Sequence, residues 1–105
     1  MIFQVSATLL DACVLSVLRK KDAYGYVLTQ TLKESLEISE STLYPVLRRL
    51  QKDEFLATYD EPYQGRNRRY YTITEKGMNQ VEQYRGAWKD FRQRVDQLIE
   101  GGVAV

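Results

Sequence analysis

Histidine is absent from the 105 residues, and cysteine (one), tryptophan (one) and proline (two) are scarce. Without histidine the usual general base, the usual zinc ligand and the Ser/His and Cys/His nucleophilic pairs are all missing, and most hydrolase chemistry with them. The lone Cys13 cannot close an intrachain disulfide, so the fold does not depend on an oxidising compartment, which favours a cytoplasmic location. A dominant charge sign is missing too: 15 Lys+Arg face 14 Asp+Glu, a net +1, so any case for nucleic acid rests on where the charges sit. There is no long hydrophobic run. The most apolar stretch, Ala7 to Leu18, is interrupted by Asp11, falls short of the ~20 residues of a membrane span, and precedes rather than follows its basic cluster Arg19-Lys20-Lys21. Repeats, low-complexity tracts and linkers are absent as well. With 44% hydrophobic and 28% charged residues, this is the composition of one soluble globular domain, and neither a metal nor a cofactor is expected.

What is present reads as packed elements. Leu9, Leu10, Cys13, Val14, Val17 and Leu18 recur at the spacing of a helix with one broad apolar face, from about Ser6 to Arg19. Asp22 is a fair N-cap for a second helix carrying Tyr24, Val27, Leu28, Leu32 and Leu36. A third starts at Ser39, with Ile38 and Leu43 placed as a hydrophobic staple and Leu43, Val46, Leu47 and Leu50 as the buried stripe. Its other side holds Ser41, Tyr44, Pro45, Arg48, Arg49 and Lys52, a basic face with a kink expected at Pro45. From Phe55 the composition turns to β-formers: a two-stranded hairpin with strands Leu56–Tyr59 and Arg69–Thr74, a turn at Asp60 to Gly65, and Arg66, Arg68 and Arg69 crowding its tip and returning strand. Those three arginines have no acid beside them in sequence, an arrangement folding alone does not require.

Thr74 caps a final helix of about 25 residues, with Glu75 at its positive end. Along it Val81, Trp88 and Val95 are seven apart, as are Tyr84, Phe91 and Leu98, the two sets offset by three: the a and d positions of a heptad, and so a dimerisation seam. The expected fold is mainly α with a small β-hairpin wing, that is, a winged helix-turn-helix DNA-binding domain over 1–74, a C-terminal dimerisation helix over 75–100 and a tail at 101–105. In such a module the basic helix enters the major groove while hydroxyls and wing cations hold phosphates or reach the adjacent minor groove.

Three segments, in this order and spacing, resemble the PadR family of bacterial transcriptional regulators: Tyr24-Gly25-Tyr26, the run Ser41-Thr42-Leu43-Tyr44-Pro45-Val46-Leu47-Arg48-Arg49-Leu50, and Gly65-Arg66-Asn67-Arg68-Arg69-Tyr70-Tyr71 leading to Thr74-Glu75-Lys76-Gly77. The likeness spans roughly Leu9 to Glu100, and the single terminal helix looks like the family's short-tailed branch. The resemblance implies a homodimeric regulator, usually a repressor, that binds double-stranded DNA at a pseudo-palindromic operator and is released by a small ligand. It puts Tyr24, Ser41, Thr42, Tyr44, Arg48 and Arg49 on the helix-turn-helix surface and Arg66, Arg68 and Arg69 on the wing; Lys52 joins them from the basic face. It also raises the idea that Trp88, Phe91 and Tyr84 line a cavity for flat aromatic effectors at the dimer centre. Three positions depart from the family pattern: Ser41 and Glu54 stand where glycine is frequent, and Asn67 where proline is. The competing reading is a winged-helix protein-interaction module whose arginines meet an acidic protein surface. An enzyme is not expected, because no pair of carboxylates or tyrosines forms a recognisable catalytic motif.

Overall fold

The computed structural model describes residues 1–102; the remaining part of the expected tail, 103–105, lies outside the described residues. In chain order the elements are α1 (Ala7–Lys20), β1 (Ala23–Tyr24), α2 (Gly25–Leu36), α3 (Glu40–Lys52), β2 (Leu56–Tyr63), β3 (Arg66–Ile73) and α4 (Glu75–Ile99). The fold is mainly helical, with a small antiparallel sheet in winged-helix order.

Three of the four helices, α1, α3 and α4, start where the sequence offers a side-chain oxygen to a free amide. Ser6 accepts from the Leu9 N–H, Ser39 from Thr42 and Thr74 from Gly77. α1 is the centre of the core, with Leu10, Val14, Leu15 and Leu18 buried against Leu28 and Leu32 of α2, Leu43, Leu47 and Leu50 of α3, Leu56 and Val81. The buried face of α1 is turned by about one residue from the expected one: Leu15 and Asp11 lie inside, whereas Leu9 and Cys13 lie on the flank. α3 runs through Pro45 from Glu40 to Lys52. The carbonyl that Pro45 leaves unbonded, that of Ser41, belongs to an exposed residue, where water can take the place of the lost N–H.

The sheet differs from the expected hairpin in three ways. It has three strands in the order β1-β3-β2, because Ala23 and Tyr24 pair with Tyr71 and Tyr70. Asp22 consequently does not cap α2; Tyr24 occupies that position, and the Asp22 carboxylate instead accepts a 2.7 Å hydrogen bond from the Tyr59 hydroxyl. The wing strands are also longer than expected and the turn shorter: Tyr63 pairs with Arg66 across Gln64-Gly65 alone, both with positive φ (50° and 77°), as a type I′ turn requires. The proline at 62 had read as a turn residue, but β2 is an edge strand, and there a missing N–H is tolerated.

The end of α3 and the start of α4 are tied together. The Glu54 N–H donates to the Gln51 carbonyl and the Phe55 N–H to that of Leu50, the Schellman pair, with Glu54 left-handed at φ 65° where glycine is usual. The Thr74 hydroxyl reaches the carbonyl of Glu54 at 2.6 Å, and Lys76 Nζ donates to that of Asp53 at 2.8 Å. Gly77 permits this approach: a Cβ there would stand 2.3 Å from the Phe55 carbonyl oxygen.

α4 begins in the core and then leaves it. Val81 is fully buried and Tyr84 half-buried, but Trp88 (42% exposed), Phe91 (60%) and Leu98 (70%) lie on open surface. Val81 therefore does not belong to an exposed seam; the first turns of α4 pack on their own chain, and the outward apolar stripe starts at Tyr84 and Trp88.

Candidate nucleic-acid interface

The outer face of α3 is set by helical spacing. Tyr44, Arg48 and Lys52, four residues apart, form one exposed row, with Ser41 and Thr42 exposed in the first turn. Ser39 Oγ lies 2.9 Å from Ser41 Oγ and 3.0 Å from Thr42 Oγ1, a cluster of hydroxyls at the positive end of the helix. Arg48 and Lys52 have no carboxylate partner among the described residues.

Arg49 does not join this row: its side chain, although exposed, is turned towards α1. Its two terminal nitrogens donate to the Asp11 carboxylate at 2.9 and 2.5 Å. Asp11 is 6% exposed, so the guanidinium serves as the counter-charge of a buried acid and fastens α3 to α1. The bonded carboxylate also raises the Arg49 pKa above its already high ordinary value.

On the wing, strand alternation separates the three arginines. Arg66 and Arg68 point to the outer face of the sheet and Arg69 to the other, where Asp60 stands opposite at 3.9 Å. The arginines thus do have acids across the strand pair, Asp60 opposite Arg69 and Glu61 opposite Arg68, although only the first comes within ion-pair distance. The outer face also carries a tyrosine ladder that the sequence reading missed. Tyr59 stacks on Tyr70 at 5.6 Å between centroids, Tyr70 lies 5.8 Å from Tyr24, and the Arg68 guanidinium carbon sits 4.5 Å from the Tyr24 ring centre and 3.6 Å from that of Tyr63. The signal was the alternation Tyr59, Glu61, Tyr63, which Asp60 and Pro62 masked as a turn. At the start of the ladder, the hydroxyls of Thr72 and of Tyr59 hold the Asp22 carboxyl below its ordinary pKa, and the same hydrogen bond pushes the Tyr59 phenol up to about 12. α2 begins beside this ladder with no side-chain cap.

Away from these faces, α1 and α4 frame two adjoining apolar clefts of about 190 and 360 Å³, which share Leu9, Ala12, Tyr84 and Trp88. Phe91 closes one, its ring 6.3 Å from Trp88; Cys13 lines the other, its thiol pKa pushed up by burial. The expected aromatic-effector residues Trp88, Phe91 and Tyr84 are thus brought together. Among the described residues no cluster of His, Cys, Asp and Glu could hold a metal ion, and no helix is long and apolar enough to cross a membrane.

A family model described as the transcriptional regulator PadR-like family matches residues 14–83, from the middle of α1 into α4. The chain belongs to the PadR family. A crystal structure of smu.1704 from Streptococcus mutans UA159 is similar over 100% of this chain and 99% of that one, with a TM-score of 0.88 and 37% identity. The PadR-like transcriptional regulator BC4206 of Bacillus cereus strain ATCC 14579 superposes with a TM-score of 0.80 at 31% identity, over 89% of this chain and 93% of its own. An uncharacterised protein of Lysinibacillus sphaericus is 34% identical over 97 residues, covering 88% of this chain and 89% of its own. Membership makes this PadR chain a transcriptional regulator rather than an enzyme.

Proposed function

We propose that this PadR-family chain is a homodimeric, sequence-specific repressor that reads a pseudo-palindromic operator and is released by a small aromatic effector. The observation that carries the DNA reading is the set of exposed cations without carboxylate partners on both elements of the module, Arg48 and Lys52 on α3 and Arg66 on the wing. Arg48 offers the bidentate edge that recognises guanine, Lys52 and the first-turn hydroxyls offer phosphate contacts, and Tyr44 presents a ring and a hydroxyl to the groove wall.

Dimerisation is supported by the outward stripe Trp88, Phe91 and Leu98, large apolar residues that a lone chain leaves wet, with the half-buried Val95 between them. Pairing α4 with its counterpart would bury this stripe and bring the α1–α4 clefts of two copies towards a shared apolar space, suited to a flat ring system. An effector held there would act by favouring one relative angle of the two DNA-binding units over another.

Selection of bound duplexes from a random pool tests the reading. The expected product is an inverted repeat whose half-site centres lie about one helical turn, ~34 Å, apart. Recovery of unpaired or unrelated sequences would contradict it.

A further inference from the structure

The notch between the wing and the start of α2 is lined by Tyr24, Tyr63, Gln64, Arg66, Asn67 and Arg68 and encloses about 480 Å³. Its lining carries two cations and no carboxylate. Arg68 is the better defined of the two. Tyr24 and Tyr63 reach it diagonally from the strands on either side of β3, since Tyr24 pairs with Tyr70 and Tyr63 with Arg66. The guanidinium is thus held over two aromatic rings, and no carboxylate among the described residues takes its N–H groups. An arginine on an isolated hairpin would lose rotamer freedom on binding; one held between two rings has lost it already.

We propose that this notch is a pre-formed clamp for one backbone phosphate of duplex DNA, with Tyr63 and Tyr24 as positioning residues that aim Arg68. The proposal rests on the DNA-binding reading above and adds to it a residue, Tyr63, that neither the basic helix nor the family pattern singles out. The phosphate would accept from the N–H groups of Arg68 in the two-bond geometry that guanidinium favours, with Arg66 supplying a second charge to the same notch. Because a phosphate carries no sequence information, the clamp sets register and affinity and leaves base preference to α3.

The test is anisotropy of a labelled duplex of about three helical turns, titrated over a range of salt with the full chain and the variants Tyr63→Leu, Tyr63→Phe, Arg68→Ala, Tyr63→Leu/Arg68→Ala and Arg48→Ala. Tyr63 is exposed at the wing tip, so circular dichroism and thermal midpoint should stay at the wild-type values. Tyr63→Leu is expected to weaken binding about 3- to 10-fold, and Arg68→Ala to flatten the salt slope by about 0.9, the signature of one lost phosphate contact. Tyr63→Phe should retain wild-type binding, and Tyr63→Leu should add nothing once Arg68 is alanine. Three results would overturn the clamp while leaving the DNA reading intact through a weakened Arg48→Ala: an unchanged Tyr63→Leu, a Tyr63→Phe as weak as leucine, or a leucine effect that persists without Arg68. A wild-type chain that binds no duplex would overturn both.

Discussion

The Asp11–Arg49 pair predicts an asymmetric response to losing either partner. The Asp11 side chain is 9% exposed and that of Arg49 43%. Arg49→Met leaves a carboxylate in the core with no counter-charge, the situation that typically costs about 3–5 kcal/mol; the partial exposure of the site favours the lower end. Asp11→Leu leaves a cation that can swing into water and puts an apolar side chain in an apolar place, for a loss of about 1 kcal/mol or less. The double variant Asp11→Leu/Arg49→Met has no buried charge at all and should recover most of the stability that Arg49→Met alone gives up. Urea unfolding followed by circular dichroism, at one fixed protein concentration so that any association is held constant, measures all four proteins. A double variant as unstable as Arg49→Met, or an Asp11→Leu that loses more than Arg49→Met, would refute the reasoning.

Other predictions concern the join between α3 and α4 and the tyrosine ladder. Gly77→Ala, which helix propensity alone would favour, should instead destabilise by about 1–3 kcal/mol, since its Cβ would meet the Phe55 carbonyl, and thermal unfolding will show the sign. Glu54→Gly should raise stability by about 1 kcal/mol, or roughly 4–8 °C in melting temperature, by relieving the left-handed backbone at the end of α3; an unchanged midpoint would argue against strain there. The Tyr59 phenol has a folded pKa of about 12, above its ordinary value, so its contribution to stability is complete below about pH 10 and disappears as pH rises through 12. The difference in phenolate absorbance between wild type and Tyr59→Phe should therefore rise near pH 12, and nearer pH 10 when Asp22 is changed to asparagine.

Much of the helical architecture was legible because its signals are local. Ser39 and Thr74 each precede an apolar period, and both are caps. The stripe Leu43, Val46, Leu47, Leu50 is likewise buried as its spacing predicts. The misreadings arose where long-range contacts decide. Nothing near Asp11 in sequence shows that its partner stands 38 positions later, so Asp11 read as an interruption and Arg49 as a free cation. Ala23-Tyr24 is too short to announce itself as a strand and exists only because β3 offers an open edge. Val81 fits the heptad as well as Trp88 does; only the packing of α4 on α1 separates an inward from an outward position. The wing arginines were visible as a cluster, but the division into Arg66 and Arg68 on one face and Arg69 on the other required the register, which the tight Gln64-Gly65 turn fixes.

The central claim, that α3 and the wing form a sequence-reading DNA surface, is tested most directly by one titration. A labelled duplex from immediately upstream of the coding sequence is compared with a scrambled duplex of the same composition, by anisotropy at low and near-physiological salt. The account predicts tight binding to the first, which weakens steeply as salt rises, and much weaker binding to the second. Equal and weak binding to both, with no salt-dependent preference, would contradict the operator reading for this region and direct attention to an acidic protein surface as the partner of these cations.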